Sequence, residues 1–430
     1  MTRQYIDKCP ICGSFDIGNL DHMRDTQYWY VRDYLEEGER LGFSICQECG
    51  FVFQGYYGDI ERHYQNERKA INHENILLNN RRNEWRKTFL ADIMDSELSS
   101  SDNILDIGCS TGGLLTLFKD AGFYNIFGTE YSDKAAQFAR GEYGLNITRD
   151  IDKSLKYKLI CYYRVLEHIP DPVKELTEIQ DILTDDGYIY ISVPIWFERL
   201  EDEMADVPVV NFETIYHPNH VNIFSLASAL NVFKLAGLEV VKYNGNYHGL
   251  TVLVKKSIKR EIQKEDYREI VKRLESEKAA IDHFNKREFE KAIECCPKYP
   301  DAYIYGSMTK DNMRDINVII QWLDKGIEAC GGDCHKILNQ YAKSLFQWDQ
   351  NTPENHGFYS NNVKRAEKMF HRCLELRPGI EDAYYFLSII EAKYKKNINL
   401  GVSYMKKFVD INPMKWSEAY TMIGNFWGNS

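Results

Sequence analysis

The sequence predicts an α/β domain with a parallel sheet, preceded by a small cysteine-held module and followed by an all-α array of helical repeats. Three observations lead there. Two Cys-x-x-Cys-Gly pairs stand within residues 1–60. From Ser101 to about Lys255 short apolar runs alternate with amphipathic stretches, as βα units require. After Lys255 strand signals stop, and helical sequence rich in Tyr, Lys and Glu takes over. The boundaries expected are 1–60, 61–257 (with leading helices over 61–100) and 258–430.

Composition agrees with several globular domains in one chain. The 430 residues are too many for one ordinary domain, and 44% hydrophobic with 27% charged residues can bury a real core. A net charge of −11 argues against a general nucleic-acid binder, which needs clustered Lys and Arg to neutralise phosphates. No apolar run reaches the length of a membrane span, and the first residues lack the apolar stretch of an export signal. Eleven cysteines in such a chain imply reduced or metal-bound thiols, so the cytoplasm is the expected location.

In the first part, Cys9-Pro10-Ile11-Cys12-Gly13 and Cys46-Gln47-Glu48-Cys49-Gly50 form two knuckles separated by 33 residues. Each thiolate pair can grip one side of a tetrahedral zinc, and the glycine after it lets the backbone turn. Four thiolates close the coordination sphere, so the zinc expected is structural. The alternative is four buried thiols with no metal.

Residues 66–98 read as helix, with Ile76, Leu77, Trp85, Phe89, Leu90 and Ile93 set among charges. The clearest strands are Asn103 to Ile107, Ile126 to Glu130, Leu159 to Tyr163 and Tyr188 to Val193. Leu238 to Tyr243 and Leu250 to Val254 are the last two, after a helix that ends at Gly237. Between the fourth pair of elements, Asp171 can cap a helix that Pro172 begins, with Val173, Leu176, Ile179 and Ile182 on one face. Asp185, Asp186 and Gly187 then read as a turn. In the last part, aromatic residues stand beside Ala302, Ala342, Ala383 and Ala419, at steps of roughly 40 residues that suit stacked helical hairpins. Pro297, Pro378 and Pro413 punctuate them, and the stretch from Cys373 resembles a tetratricopeptide repeat. Such arrays expose long grooves, so a protein partner or self-association is expected here. Cys330, Cys334 and His335 form a partial donor set that reads as packing and turn chemistry.

Chemistry concentrates in the α/β part. Asp106-Ile107-Gly108-Cys109-Ser110-Thr111-Gly112-Gly113 follows a strand and opens an amphipathic helix, so its glycines let the backbone approach a ligand. Glu130 closes the next strand about 20 residues on, where an acidic side chain can hold a ribose diol. The spacing is not that of a pyrophosphate-binding G-x-G-x-x-G turn.

With these blocks, "NILDIGCSTGGLL", "IFGTEYSDKAAQFA" and "YYRVLEHIPDPVKELTEIQDILTDDGYIYISVP", residues 100–255 resemble the class I methyltransferases that use S-adenosylmethionine (SAM). The resemblance implies a Rossmann-like seven-stranded sheet with SAM across its strand ends. It further implies Asp106, Gly108, Cys109 and Gly112 along the methionine part, and Glu130 with Tyr131 at the ribose. Asp150 and Ile151 would flank the adenine, although Lys158 stands where the family usually has an acid. Arg164 would lie near the sulfonium, and Tyr56, Tyr57 and Tyr64 could fold over the cofactor.

The cysteine pairs, with "YHPNHVNIFSLASALNVFKLAGLEVV", narrow the resemblance to methyltransferases of nucleotide sugars and glycans, including sugar C-methyltransferases. Those carry a Tyr-His-Glu-His type segment whose last His is the base, and His220 matches it by its distance to Phe224-Ser225. Asn219 replaces the Glu and one residue is inserted, which favours O-methylation of a sugar hydroxyl. The candidate bases are His220, then His217, then His168, an alternative for each imidazole being a purely structural role. Trp196, Phe197, Glu201, Asp202, Asp206 and Phe212 suit a polyhydroxylated acceptor or, equally, a solvated acidic lid. A sugar C-methyltransferase and a non-catalytic scaffold that works through its repeats are the competing expectations.

Overall fold

The computed structural model describes residues 4–20, 42–57, 83, 86–87, 89–195, 220–246, 249–352, 358–377, 379–411 and 415–428. The chain divides into two compact units, Met1–Asn72 with Phe89–Lys278 and His73–Thr88 with Ala279–Ser430.

In the first unit, five short strands come first: β1 (Gln4–Tyr5), β2 (Ile17–Asn19), β3 (Phe43–Cys46), β4 (Val52–Gln54) and β5 (Tyr56–Tyr57). The chain then builds β6 (Ile104–Ile107), β7 (Ile126–Thr129), β8 (Asn146–Thr148), β9 (Tyr157–Tyr163), β10 (Leu183–Val193), β11 (Asn222–Ile223), β12 (Leu238–Asn246) and β13 (Gly249–Lys256). Seven of these form one sheet in the order β12-β13-β10-β9-β6-β7-β8. Strands β6 to β10 pair in parallel, while β13 runs antiparallel to both β10 and β12. The central strands are covered on both faces, so they read as nearly unbroken apolar runs such as Ile160-Cys161-Tyr162 and Ile189-Tyr190-Ile191, all buried.

The helices between them carry their own start and stop signals, although the helix begun at Pro172, expected to reach Ile182, ends at Glu178 and passes into a 3-10 turn, Ile179–Asp181. Helix α1 (Gly113–Asp120) buries Leu114, Leu115, Leu117 and Phe118, and α2 (Asp133–Tyr143) is capped by the Ser132 hydroxyl and ends at Gly144 in the left-handed region. Asp171 caps α3 (Pro172–Glu178) by accepting the Lys174 N–H at 3.0 Å. Ser225 and Ser228 cap α4 (Leu226–Ala236) reciprocally, and Gly237 terminates it. Two details differ from expectation. Asp185, Asp186 and Gly187 lie inside β10, where a register shift between Leu183 and Tyr188 absorbs them as a bulge. The edge strand β8 is an addition. Of the long helix expected over 66–98, residues 89–96 are helical, and most of the remainder lies outside the described residues.

The cysteine-bearing segment shares its core with the α/β sheet. Strand β4 pairs with β11, which completes a second sheet in the order β11-β4-β3-β2. Cys9, Cys46, Cys49, Phe51 and Phe53 pack in one hydrophobic cluster with Val193, Phe224, Leu226 and Leu250. Each large apolar side chain buried there contributes about 1.5–3 kcal/mol.

Helix α5 (Tyr267–Asn285) contains the division between the units. Its Glu277 is buried, and neither carboxylate oxygen makes a hydrogen bond. Burial raises its pKa to about 8 from the ordinary 4.5, with Arg273 pulling the other way. Below pH 4.5 both folded and unfolded chains hold the proton. Between 4.5 and 8 only the unfolded chain releases it, so stability falls through that window and is level above it. Glu277→Gln should remove a slope on the order of 4 kcal/mol. Urea unfolding at pH 5 and pH 9 checks this: the variant should gain on the wild type at pH 9, and an equal difference at both pH values would contradict it.

The second unit is helical: α6 (Phe289–Cys295), α7 (Pro300–Ser307), α8 (Ile316–Ala329), α9 (His335–Asn351), α10 (Asn361–Leu376), α11 (Glu381–Ile389), α12 (Ile398–Ile411) and α13 (Trp416–Gly428). Ala302, Ala342, Ala383 and Ala419 are fully buried in α7, α9, α11 and α13. Polar rungs join residues 35–41 apart: Lys336 with Asp301, Lys343 with Asp382, Arg365 with Asp324, and Arg372 with Asp333. His335 Nε2 lies 3.3 Å from Arg377 Nη1. Among the described residues Cys330, Cys334 and His335 do not form a three-donor group. No described helix is long and apolar enough to cross a membrane.

Candidate functional site

The carboxyl ends of β6, β7, β9 and β10 gather the residues singled out by the sequence, the place where open α/β sheets bind ligands. After β6 the chain turns sharply through Gly108 (φ +64°), Ser110 (φ +51°) and Gly112 (φ +79°) into α1. A Cβ on Gly108 would stand 2.8 Å from Val165 Cγ2, and one on Gly112 2.5 Å from Leu145 Cδ1. Side chains are therefore excluded at both positions by contact as well as by backbone conformation. Ser110 has no such freedom, and its left-handed backbone is the kind of strain that functional turns retain.

Glu130 explains the shape of this turn. Its Oε2 accepts the Ser110 N–H at 2.8 Å and its Oε1 accepts the Ser132 N–H at 2.7 Å. The carboxylate thus locks the β6–α1 turn to the start of α2. A carboxylate oxygen can accept more than one hydrogen bond, which suits a vicinal diol. Asp106 is buried at the end of β6. Burial, and then the charges of Asp106 and Glu130, push the Cys109 thiol well above the ordinary value, which disfavours the reactive thiolate. Beyond β7, Tyr131 is exposed. Asp150 is exposed, with its carbonyl accepting from Thr148 Oγ1 at 2.9 Å, and Ile151 packs partly buried against the core. Lys158 pairs with Asp186 at 2.8 Å.

On the other side of the sheet centre, Arg164 leaves β9 with φ +61°, its N–H donating to the Ser192 carbonyl at 2.9 Å. A short 3-10 turn, Leu166–His168, follows. The rings of His168 and His220 meet edge to face with centroids 4.9 Å apart. A parallel bridge from Ile195 to Phe224 carries the segment after His220 to the end of β10. Asn222, buried in β11, donates from Nδ2 to the carbonyls of Leu166 and Ile169 at 3.2 and 2.6 Å, which fixes the His168 turn against the His220 segment. Between those carbonyls, burial raises the Glu167 pKa to about 7, against the pull of Arg164. Sequence reasoning passed over Glu167 and Asn222. The only signal was the adjacency of Glu167 to His168, since Asn222 acts through a turn more than fifty residues away. His217, Tyr64 and the Trp196 to Tyr216 loop lie outside the described residues.

Cys9, Cys12, Cys46 and Cys49 converge, with their sulfurs within 4.8 Å of one another. The Cys9–Cys49 and Cys12–Cys46 Sγ distances are 3.6 and 3.5 Å, too long for disulfides. They approach the sulfur spacing of about 3.8 Å that bonds of roughly 2.3 Å to one tetrahedral ion give. The two knuckles share one geometry: Gly13 N–H donates to Cys9 O and Gly50 N–H to Cys46 O, both at 2.9 Å, with φ +72° and +77°. Backbone amides point at the sulfurs, that of Cys12 lying 3.5 Å from Cys9 Sγ. Hydrogen bonds from Cys49 and Cys9 hold the Cys46 thiol far below its ordinary value, while the Cys9 and Cys49 thiols are raised. This donor set fits zinc.

A family model described as a methyltransferase domain matches residues 78–243, so that stretch is similar to a methyltransferase domain. The C-methyltransferase NovU of Streptomyces niveus is 27% identical over 167 residues, which is 36% of this chain. The match spans 38% of that relative's length. Among solved structures, the mitomycin 7-O-methyltransferase MmcR is 17% identical with a TM-score of 0.35, covering 46% of this chain and 61% of its own. CalO1, a methyltransferase of calicheamicin biosynthesis in its SAH-bound form, is 13% identical with a TM-score of 0.31, covering 40% and 54%.

Proposed function

We propose that the chain transfers the methyl group of SAM to a hydroxyl of a glycan or nucleotide sugar, with the acceptor proton taken at the His168–His220 pair. The observation that carries this reading is the placement, at the ends of neighbouring strands, of the Glu130-locked turn on one side and the imidazole pair on the other. When bound, SAM supplies an electrophilic methyl group. The chain supplies position and a proton acceptor. In this reading Asp106, Gly108, Cys109 and Gly112 line the methionine part, Glu130 and Tyr131 the ribose, and Asp150 and Ile151 the adenine. Arg164 stands near the sulfonium, Tyr64 covers the cofactor, and His217 is the remaining candidate base.

The four cysteines hold a structural zinc, which leaves no coordination position for chemistry. The helices beyond Lys278 form stacked hairpins that bind a protein partner or a second copy, and the rungs at spacings of 35–41 residues support that periodicity. The same reading places the protein in the cytoplasm, where such thiols stay reduced.

Glu130→Ala tests the cofactor half. It should weaken SAM binding by roughly 1–3 kcal/mol, about 5- to 150-fold, because a charged acceptor is lost and the Ser110 and Ser132 amides lose their tether. Unchanged affinity by calorimetry would mean that the ribose lies elsewhere. The likeness to a C-methyltransferase keeps carbon methylation as a second reading. Turnover in deuterated water separates them: O-methylation leaves the acceptor C–H bonds untouched, whereas C-methylation requires one to ionise.

A further inference from the structure

Glu167, His168 and His220 bring a carboxylate oxygen and two imidazole nitrogens within 4.8 Å of one another. Glu167 is only 1% exposed, and its Oε2 makes no hydrogen bond. A buried acceptor left in that state needs a cause, and an absent ion is one of the few available. The donors are also held in place. Asn222 spans the carbonyls on either side of Glu167 and His168, and it stands two residues beyond His220. Ligands on one ion, with bonds of about 2.0–2.2 Å, lie roughly 3–3.5 Å apart. The 4.8 Å ceiling lies above that spacing, so the side chains would close on the ion. One carboxylate with two imidazoles is a donor set for divalent transition metals, and three protein donors leave coordination positions open.

We propose that Glu167, His168 and His220 form a metal site, separate from the four cysteines, which takes a divalent transition-metal ion and leaves positions open for oxygen atoms of a hydroxylated acceptor. The acceptor clause rests on the methyl-transfer reading above, and the metal clause does not. With an ion in place, Glu167, His168 and His220 would hold it, and its charge would lower the pKa of a bound acceptor hydroxyl so that the proton passes to solvent. Without the ion the imidazole pair remains the proton acceptor of the reading above.

The test is equilibrium dialysis of the full chain against a fixed free concentration of Zn2+, with zinc counted per chain. The readout is the difference between wild type and His168→Ala/His220→Ala, so it stands whether or not the four cysteines carry zinc and whether or not methyl transfer occurs. The expected difference is one equivalent, and Glu167→Gln should weaken the same site by at least about 10-fold. Equal counts in wild type and the double variant would overturn the proposal. Should the double variant fail to fold, Co2+ added to wild type that holds a single zinc per chain decides. Weak visible bands without thiolate charge-transfer absorption are expected, and thiolate bands or no uptake would overturn it.

Discussion

His220→Ala should lower turnover by about 10²–10⁴-fold while SAM affinity stays near that of the wild type. A sugar hydroxyl is a poor nucleophile at neutral pH, and an imidazole titrates near the pH at which it must accept the proton. His220 sits at the carboxyl end of the sheet, edge to face with His168 and just before a strand that Asn222 fastens to the opposing turn. Its displacement should therefore disturb the reacting geometry without touching the Glu130 turn. Rates across pH 6–9 at saturating SAM, for His220→Ala, His168→Ala and His217→Ala separately, check this. Near-normal turnover of His220→Ala at every pH would remove it from the reaction, and a loss confined to His217→Ala would move the role three residues upstream.

Loss of the four-cysteine centre should do the largest damage to stability. Structural zinc contributes on the order of 10–16 kcal/mol in small zinc modules, and Cys46 lies in the same hydrophobic cluster as Phe53, Phe224 and Leu226. Cys46→Ser should therefore loosen more than residues 1–60. Strand β4 holds β11, and β11 directly follows His220, so the acceptor side should weaken while SAM binding at the Glu130 turn changes only a few-fold. Amide exchange should rise both in residues 43–54 and in 220–224. Purified wild-type protein without zinc, or Cys46→Ser with unaltered exchange in both segments, would contradict this.

The contrast between β6 and β11 shows what the sequence could disclose. Strands such as β6, β9 and β10 are buried on both faces, so their apolar runs are visible in one dimension, and the glycine turn and Glu130 follow from strand ends already located. Strand β11 has two residues, and its partner β4 lies some 170 residues earlier, so no local pattern marks it. Asn222 and Glu167 inherit that invisibility, because their roles exist only once β11 is paired. The Asp185-Asp186-Gly187 stretch misleads for a related reason: it has turn composition, but β9 pairs with Leu183 before it and with Tyr188 after it, so β10 carries it as a bulge. The cysteine knuckles were legible as chemistry from spacing alone, whereas the core they share with the larger sheet is a tertiary fact.

The most direct test of the account is calorimetric titration of the folded full chain with SAM. One SAM per chain, bound in a manner that depends on Glu130, is the predicted result. A folded protein that takes up no SAM at millimolar concentration would contradict the central claim and leave the domain as a scaffold for the helices that follow it.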